Sequence, residues 1–387
     1  MGNTQFGVDW QERVDFSRLR QDRLRKVRDG MVDADLENLL LFKPQNIRYT
    51  ASAKGIESYW DISECALISL DDEPFVYLSP GVVLDAPWLE GNIRAPKHLS
   101  GDDKDGVNIV HEFAGEIREL VGPGKNTTLG IDVLNPALYE QLSQAGFDIR
   151  AAGPALGLAR ETKTADEISL LKVAAAMNDA AFQSCHELIK PGVRESDVTA
   201  AMIYTLRKLG SDWQIRGVAC SGEHTSPQYK TVGGTDRIIQ PGDLVLIDMV
   251  HSYMSYWSDV ARTIVCGKPR ENQTGIYQHC HEMLLSGIEC VKPGNSTSDV
   301  INCWDTLQDS KIQSFGVGHG IGTTLHEVPI IDHGSIKAPV EFRPGMVLAL
   351  EVYASSGKHG VRLEENIEIT ESGYNVINRY PFDDMLL

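Results

Sequence analysis

A basic surplus is missing from this 387-residue chain: 36 Lys and Arg stand against 54 Asp and Glu, a net charge of −18. That balance excludes a protein that works by gripping a nucleic-acid backbone, which needs a positive footprint. It also argues against docking on an anionic membrane surface. No run of about 18 apolar residues occurs, so no membrane-spanning helix is expected. The polar stretch from Met1 to Phe16 lacks an apolar core, and Phe6 stands where an acylation signal has Ser or Thr. Neither a secretory signal nor a lipid anchor is therefore expected. Cysteines are sparse, seven in all, with no C-x-x-C pair. Free or buried thiols in a reducing, cytoplasmic setting are the expectation.

What is present is an ordinary globular composition, 42% hydrophobic and 23% charged. At roughly 150 residues per domain, the length predicts two or three domains, with two favoured. From Trp10 to Gly30, helical spacing of apolar residues predicts an amphipathic helix. Leu36 to Phe42, Ala66 to Leu70, Phe75 to Leu78 and Thr128 to Asp132 read as strands. Lys43 to Asn46 reads as a turn, and Val107 to Val121 as a helix. This alternation predicts a small α/β domain over 1–155, with a boundary between Ala151 and Lys163. A second domain over 156–387 opens on a capping box, Thr164-Ala-Asp-Glu167, before a long helix ending near Pro191-Gly192. Helices are also predicted over Ser196 to Leu209 and Thr274 to Val291. The Lys-Pro-Gly endings at 190–192 and 292–294 hint at a repeat. Helix termination by Pro-Gly is the simpler explanation.

Four features of the second domain carry chemistry. Asp248 interrupts the apolar run Leu244-Val-Leu-Ile-Asp-Met-Val250, where a buried acid is costly unless paired or holding a cation. If the chain folds back about Tyr253 and Met254, Asp259 stands directly opposite, and the two charges need a shared proton or an ion. An exposed hairpin with two solvated acids is the competing reading. Next, Phe315-Gly-Val-Gly-His-Gly-Ile-Gly322 surrounds His319 with glycines, and His326 follows seven residues on. Glu351 is another acid in an apolar strand, Met346 to Val352. In Gly360 to Thr370, period two puts Arg362, Glu364 and Asn366 on one face. Four carboxylates and an imidazole suit a pair of divalent ions such as Mn, Fe, Co or Zn.

In this order the motifs resemble those of the pita-bread metallohydrolases, the family of aminopeptidase P, prolidase, methionine aminopeptidase and creatinase. The resemblance covers about residues 155–387, and more loosely the N-terminal part. It implies an α/β (α+β) architecture, with a small creatinase-type domain before a pita-bread catalytic domain. It further implies a homodimer and two metal ions held by Asp248, Asp259, His319, Glu351 and Glu364. By the same resemblance Glu351 accepts a proton from the bridging water, His326 binds the substrate carbonyl or the tetrahedral intermediate, and Arg362 orients the acids. One departure stands out. Peptidase members carry a His after a Ser-Gly turn, and here Cys220-Ser-Gly-Glu-His-Thr-Ser-Pro-Gln-Tyr229 offers Gln228, with His224 in another register. A Gln cannot donate a proton at neutral pH, which weighs against ordinary Xaa-Pro peptidase activity.

Phe42 to Tyr49, Trp60 in Ser58-Tyr-Trp-Asp, Ser221 to Gln228, and Tyr380-Pro-Phe-Asp383 are similar to the dimethylsulfoniopropionate lyase branch of the family. That branch uses an acid beside the glycine-rich His motif as its base, where this chain has Leu325-His326-Glu327. Trp60, Gln228 and His224 are the expected substrate contacts, and an aromatic such as Trp60 suits a cationic substrate. The expected function is metal-dependent hydrolysis of a C–N bond in a small molecule or dipeptide. Lyase chemistry, Xaa-Pro dipeptidase activity and a binding protein on a retired enzyme fold are the alternatives. His251 is expected near the hairpin turn, and no metal site is expected at His279 to His281.

Overall fold

The computed structural model describes residues 14–53, 63–79, 87–101, 104–124, 126–212, 215–226, 234–270 and 272–387. It divides into two units, one of Asp15–Arg160 and one containing Glu161–Leu387.

In chain order the first unit holds α1 (Phe16–Asp33), β1 (Asn38–Leu41), α2 (Pro44–Ala51), β2 (Cys65–Ser69), β3 (Phe75–Tyr77), β4 (Ile93–Arg94), α3 (Lys104–Val121), β5 (Thr127–Ile131), α4 (Pro136–Gln144), β6 (Phe147–Ala151) and α5 (Gly153–Glu161). The strands form one mixed sheet in the order β4-β3-β2-β1-β5-β6. All four residues of β1 are buried. Successive side chains of a strand point to opposite faces. Leu39 and Leu41 thus pack with Leu24, Val27 and Met31 of α1, while Leu40 packs with Phe113 of α3 and Leu138 of α4. One expectation fails. Lys43 to Asn46 is no turn: Pro44 opens α2 in the first helical turn, where its missing N–H costs nothing. The division between the units, Arg160 to Glu161, falls inside the window from Ala151 to Lys163, at the end of α5.

The second unit holds α6 (Ala165–Leu188), α7 (Glu195–Leu209), β7 (Ile215–Ser221), β8 (Leu244–Tyr253), β9 (Tyr256–Val265), α8 (Gln273–Cys290), α9 (Thr297–Thr306), β10 (Gln313–Gly320), β11 (Glu327–Ile331), β12 (Val347–Ser355), β13 (Gly360–Thr370) and β14 (Gly373–Val376). The capping box is present: the Thr164 hydroxyl accepts from the Glu167 N–H at 3.3 Å, and the Glu167 carboxylate from the Thr164 N–H at 2.9 Å. Strands β7-β8-β9 form one sheet and β11-β10-β12-β13-β14 another.

The internal repeat is architectural, contrary to the simpler explanation. Helices α6 and α7, joined through Lys190-Pro191-Gly192, share a core with the first sheet. Helices α8 and α9, joined through Lys292-Pro293-Gly294, share a core with the second. Helix α9 was not legible in the sequence. Strands β8 and β12 each follow a Pro-Gly turn whose glycine has positive φ, 77° at Gly242 and 86° at Gly345. Each then carries an acid, Asp248 and Glu351, at the same distance from its proline.

Side chains join the sheets. The Thr263 hydroxyl on β9 accepts from the Arg362 N–H and donates to the Arg362 carbonyl on β13, both at 3.0 Å. The Arg262 guanidinium, fully buried, donates to the Glu364 carbonyl at 2.6 Å, to the Glu365 carboxylate at 2.6 Å and to the Tyr380 carbonyl at 2.9 Å.

Candidate metal centre

The β8–β9 hairpin turns at Met254 and Ser255, whose positive φ of 49° and 69° suit a two-residue connection. Asp248 consequently stands opposite Ala261, and Asp259 opposite Val250. The two acids are diagonal neighbours, not the direct pair expected from a turn about Tyr253 and Met254. A shift of two residues preserves the face, because side chains alternate with period two. Diagonal neighbours lie about 7–8 Å apart at the backbone, still within reach of a shared ion.

On the second sheet, Glu351 of β12 stands between Val317 of β10 and Glu364 of β13. His319 is two residues beyond Val317, hence on the same face. A glycine precedes it for a steric reason: a Cβ on Gly318 would lie 2.9 Å from the Ala349 carbonyl oxygen. Period two likewise aligns Arg362, Glu364 and Asn366, as the sequence pattern predicts.

These faces converge. Ligand atoms of Asp248, Asp259 and Glu364 lie within 4.8 Å of one another, as do those of His319, Glu351 and Glu364. A third group joins Asp259, His319 and the exposed His326. His319 Nε2 is 3.7 Å from Asp259 Oδ2, and the two imidazoles meet edge-on at 4.3 Å between centroids. Arg362 Nε lies 3.2 Å from Asp248 Oδ2, and its Nη2 contacts the Glu351 carboxylate. Among the described residues, both carboxylate oxygens of Glu364, Asp259 Oδ1 and His319 Nε2 are buried without a hydrogen-bond partner. Buried polar atoms are seldom left so, and their convergence fits a bound cation.

The electrostatics agree. Burial, then repulsion from Asp248, raises the Asp259 pKa well above 3.8. Burial, then Asp259 and Asp248, raises that of Glu364 well above 4.5. Burial lowers that of His319 to about 4. His319 is thus neutral at pH 7. Its Nδ1 lies 3.0 Å from the Gly320 carbonyl, so Nδ1 carries the proton and Nε2 turns its lone pair to the cluster.

Other expected residues lie elsewhere. Trp60 and Gln228 fall outside the described residues. Among the described residues, His224 joins none of the ligand groups. Its Nδ1 lies 3.1 Å from Glu195 Oε1, on a fully buried acid that also accepts from the Ser221 N–H at 2.6 Å. His251 stands opposite Ser258, near the hairpin turn as expected, but fully buried, Nε2 2.9 Å from the Ala174 carbonyl. His279 meets the Ser314 hydroxyl at 3.0 Å, and His281 packs on Phe382.

Two residues escaped the sequence reading. Lys163 pairs with Glu327 at 3.1 Å, both nearly fully buried, and no local pattern links them. Arg216 of β7 stands opposite Val250, itself opposite Asp259. It therefore lies on the face of the acids, exposed. Alternation along Ile215 to Ser221 was its one available signal.

The signature of metallopeptidase family M24 matches residues 169–371. The chain is 26% identical over 401 residues to the dimethylsulfoniopropionate lyase DddP of Roseovarius nubinhibens, covering 96% of this chain and 88% of that one. It is 30% identical over 367 residues to the Xaa-Pro dipeptidase of Pyrococcus horikoshii, covering 92% and 96%. Among solved structures, an Xaa-Pro dipeptidase from Bacillus anthracis superposes with a TM-score of 0.76 at 25% identity, covering 94% of this chain and 99% of that one.

Proposed function

The chain belongs to metallopeptidase family M24 and has its pita-bread fold, and from this we propose that it is a metal-dependent hydrolase cleaving an amide-type C–N bond of a small substrate. The observation that carries the proposal is the buried, unpartnered oxygen pair of Glu364 beside Asp248 and Asp259. In this reading Asp248, Asp259, His319, Glu351 and Glu364 hold two divalent ions of the Mn, Fe, Co or Zn class. Such ions lower the pKa of bound water and polarise a carbonyl. Glu351, in contact with Arg362, accepts the proton of the attacking water and delivers it to the leaving nitrogen. A ring N–H of His326 donates to the oxygen on which negative charge develops. Arg362 acts as a positioning residue, because it touches both Asp248 and Glu351. Within the same proposal, residues 1–155 form the creatinase-type domain, 156–387 the catalytic domain, and the chain acts as a cytoplasmic homodimer.

A second reading, dimethylsulfoniopropionate lyase, draws support from the DddP relative, aligned over 96% of this chain, and from Gln228. Glu327, the acid beside His326, weighs against it. It accepts from the Thr324 N–H at 2.9 Å and pairs with Lys163, so it is occupied rather than poised as a base. A proton NMR time course on Mn²⁺-loaded protein separates the readings. The mixture holds Xaa-Pro dipeptides, N-acylated diamino acids and dimethylsulfoniopropionate. A new amine with a new carboxylate is expected. Acrylate with dimethyl sulfide would replace the hydrolase by the lyase.

A further inference from the structure

Arg216 stands apart from the other arginines near this site. Arg237, Arg262 and Arg362 each pair with a buried acid. Arg216 is exposed and makes no hydrogen bond or ion pair among the described residues. Yet its placement is fixed. Strand β7 pairs with β8 in unbroken register from Ile215 to Ser221. The adjacent Gly217 has its α-carbon so close to the Met202 thioether that a Cβ there would collide with it. The register puts Arg216 and Asp259 on one face, separated by Val250 alone. At about 4.8 Å per strand, the two backbones lie about 10 Å apart. An extended guanidinium and a small substrate together bridge that gap. His326, grouped with Asp259 and His319, is exposed as well. The charge of Arg216 is felt at both Asp259 and His326: it opposes, with Arg362, the rise that burial and Asp248 impose on Asp259, and it adds to the fall that burial imposes on His326.

The chemistry of an unengaged guanidinium at the edge of a catalytic face is specific. Its planar fork matches a carboxylate with two parallel hydrogen bonds. On a chain of net charge −18, an exposed positive group is also where an anionic end of a ligand is drawn.

We propose that Arg216 is the specificity residue of this site, its guanidinium taking the carboxylate of a small acid whose scissile bond lies between Asp259 and His326. The inference rests on the hydrolase reading for the bond that is cut, and it adds the substrate class. The spacing favours a short acid, with the carboxylate one residue or a few carbons from the bond. N-acyl amino acids and dipeptides fit, whereas long peptides and neutral esters do not.

Binding tests it without turnover. Calorimetric titration of the Mn²⁺-loaded full chain would use matched pairs, L-proline against L-prolinamide and propionate against propionamide. The wild type should favour each carboxylate roughly tenfold or more. Arg216→Met should bring the ratio near one, and Arg216→Lys should keep part of it. Melting temperature and bound manganese should stay unchanged in both variants, since the residue is exposed. Equal binding within each pair by the wild type would overturn the proposal. So would an undiminished preference in Arg216→Met, which would put the carboxylate on the ions instead. The NMR time course reports separately on hydrolysis: an Arg216-dependent preference without cleavage would sink the hydrolase reading and leave the carboxylate site standing.

Discussion

Glu364 shows how one residue can report on an ion. It is fully buried, and neither of its oxygens finds a hydrogen-bond partner among the described residues. Without a cation, burial and the neighbouring Asp259 and Asp248 hold its pKa above the ordinary 4.5. A raised folded-state pKa means that the folded chain keeps a proton the unfolded chain releases. Stability of the metal-free protein therefore falls as pH rises above about 4.5. Glu364→Gln removes that penalty. The metal-free variant should melt higher than the wild type at pH 8, and Mn²⁺ should no longer raise its melting temperature. Turnover should drop by more than about 100-fold, as loss of a ligand exceeds the cost of losing a group behind one. Calorimetry with and without Mn²⁺, followed by rate measurement, checks all three. A metal-free variant that melts below the wild type at pH 8 would contradict the account. Lys163 is the second informative residue. With side chains 2% and 3% exposed, it and Glu327 form a buried ion pair. Breaking such a pair costs about 3–5 kcal/mol, because one charge stays buried alone. Lys163→Met should show that loss in chemical denaturation, and Lys163→Met with Glu327→Gln should recover most of it.

At the scale of elements, the centre is a matter of strand parity. Asp248 and Asp259 on the hairpin, and Glu351, Glu364 and His319 on the second sheet, share faces because each pair differs by an even register. The glycines around His319 let β10 lie close against its neighbours. At Gly318 a Cβ would press on the Ala349 carbonyl and the Leu350 side chain of β12. Gly318→Ala should thus push β10 off β12 and carry His319 with it. A loss of about 1–3 kcal/mol is expected from overpacking, together with weaker Mn²⁺ binding. Denaturation and metal titration read the two effects. Unaltered metal affinity would mean that the strand absorbs the methyl group elsewhere. The helix-pair repeat belongs to this scale too. In its second copy α8 reads in the sequence, and only α9, with 10 residues, does not. Its first copy, with α6 of 24 residues, was plain.

For the molecule as a whole, the ion site ties together strands 100 residues apart in sequence, so metal occupancy is folding energy. A ligand at 100 times its Kd adds about 2.7 kcal/mol to the stability of a state that alone binds it. Treatment with EDTA should lower the melting temperature at pH 8, and Mn²⁺ should restore it. The gain should shrink at pH 5.5, because protons compete for the carboxylates as pH falls. Scanning calorimetry at the two pH values checks this, and a pH-independent gain would place the ion elsewhere.

Much of this was legible beforehand. An acid inside an apolar strand is costly unless it is paired or holds an ion, so Asp248 and Glu351 announced themselves. Glycine flanks marked His319, and period two aligned Arg362 with Glu364. Those are local signals, carried by neighbours in the chain. Register is not local. The true turn at Met254 and Ser255, the anchoring of His224 on Glu195, the burial of His251, the Lys163–Glu327 pair and the placing of Arg216 beside Asp259 were settled by tertiary structure alone. Each joins residues that meet only after the backbone has closed, where packing and desolvation, rather than neighbouring sequence, choose the partner.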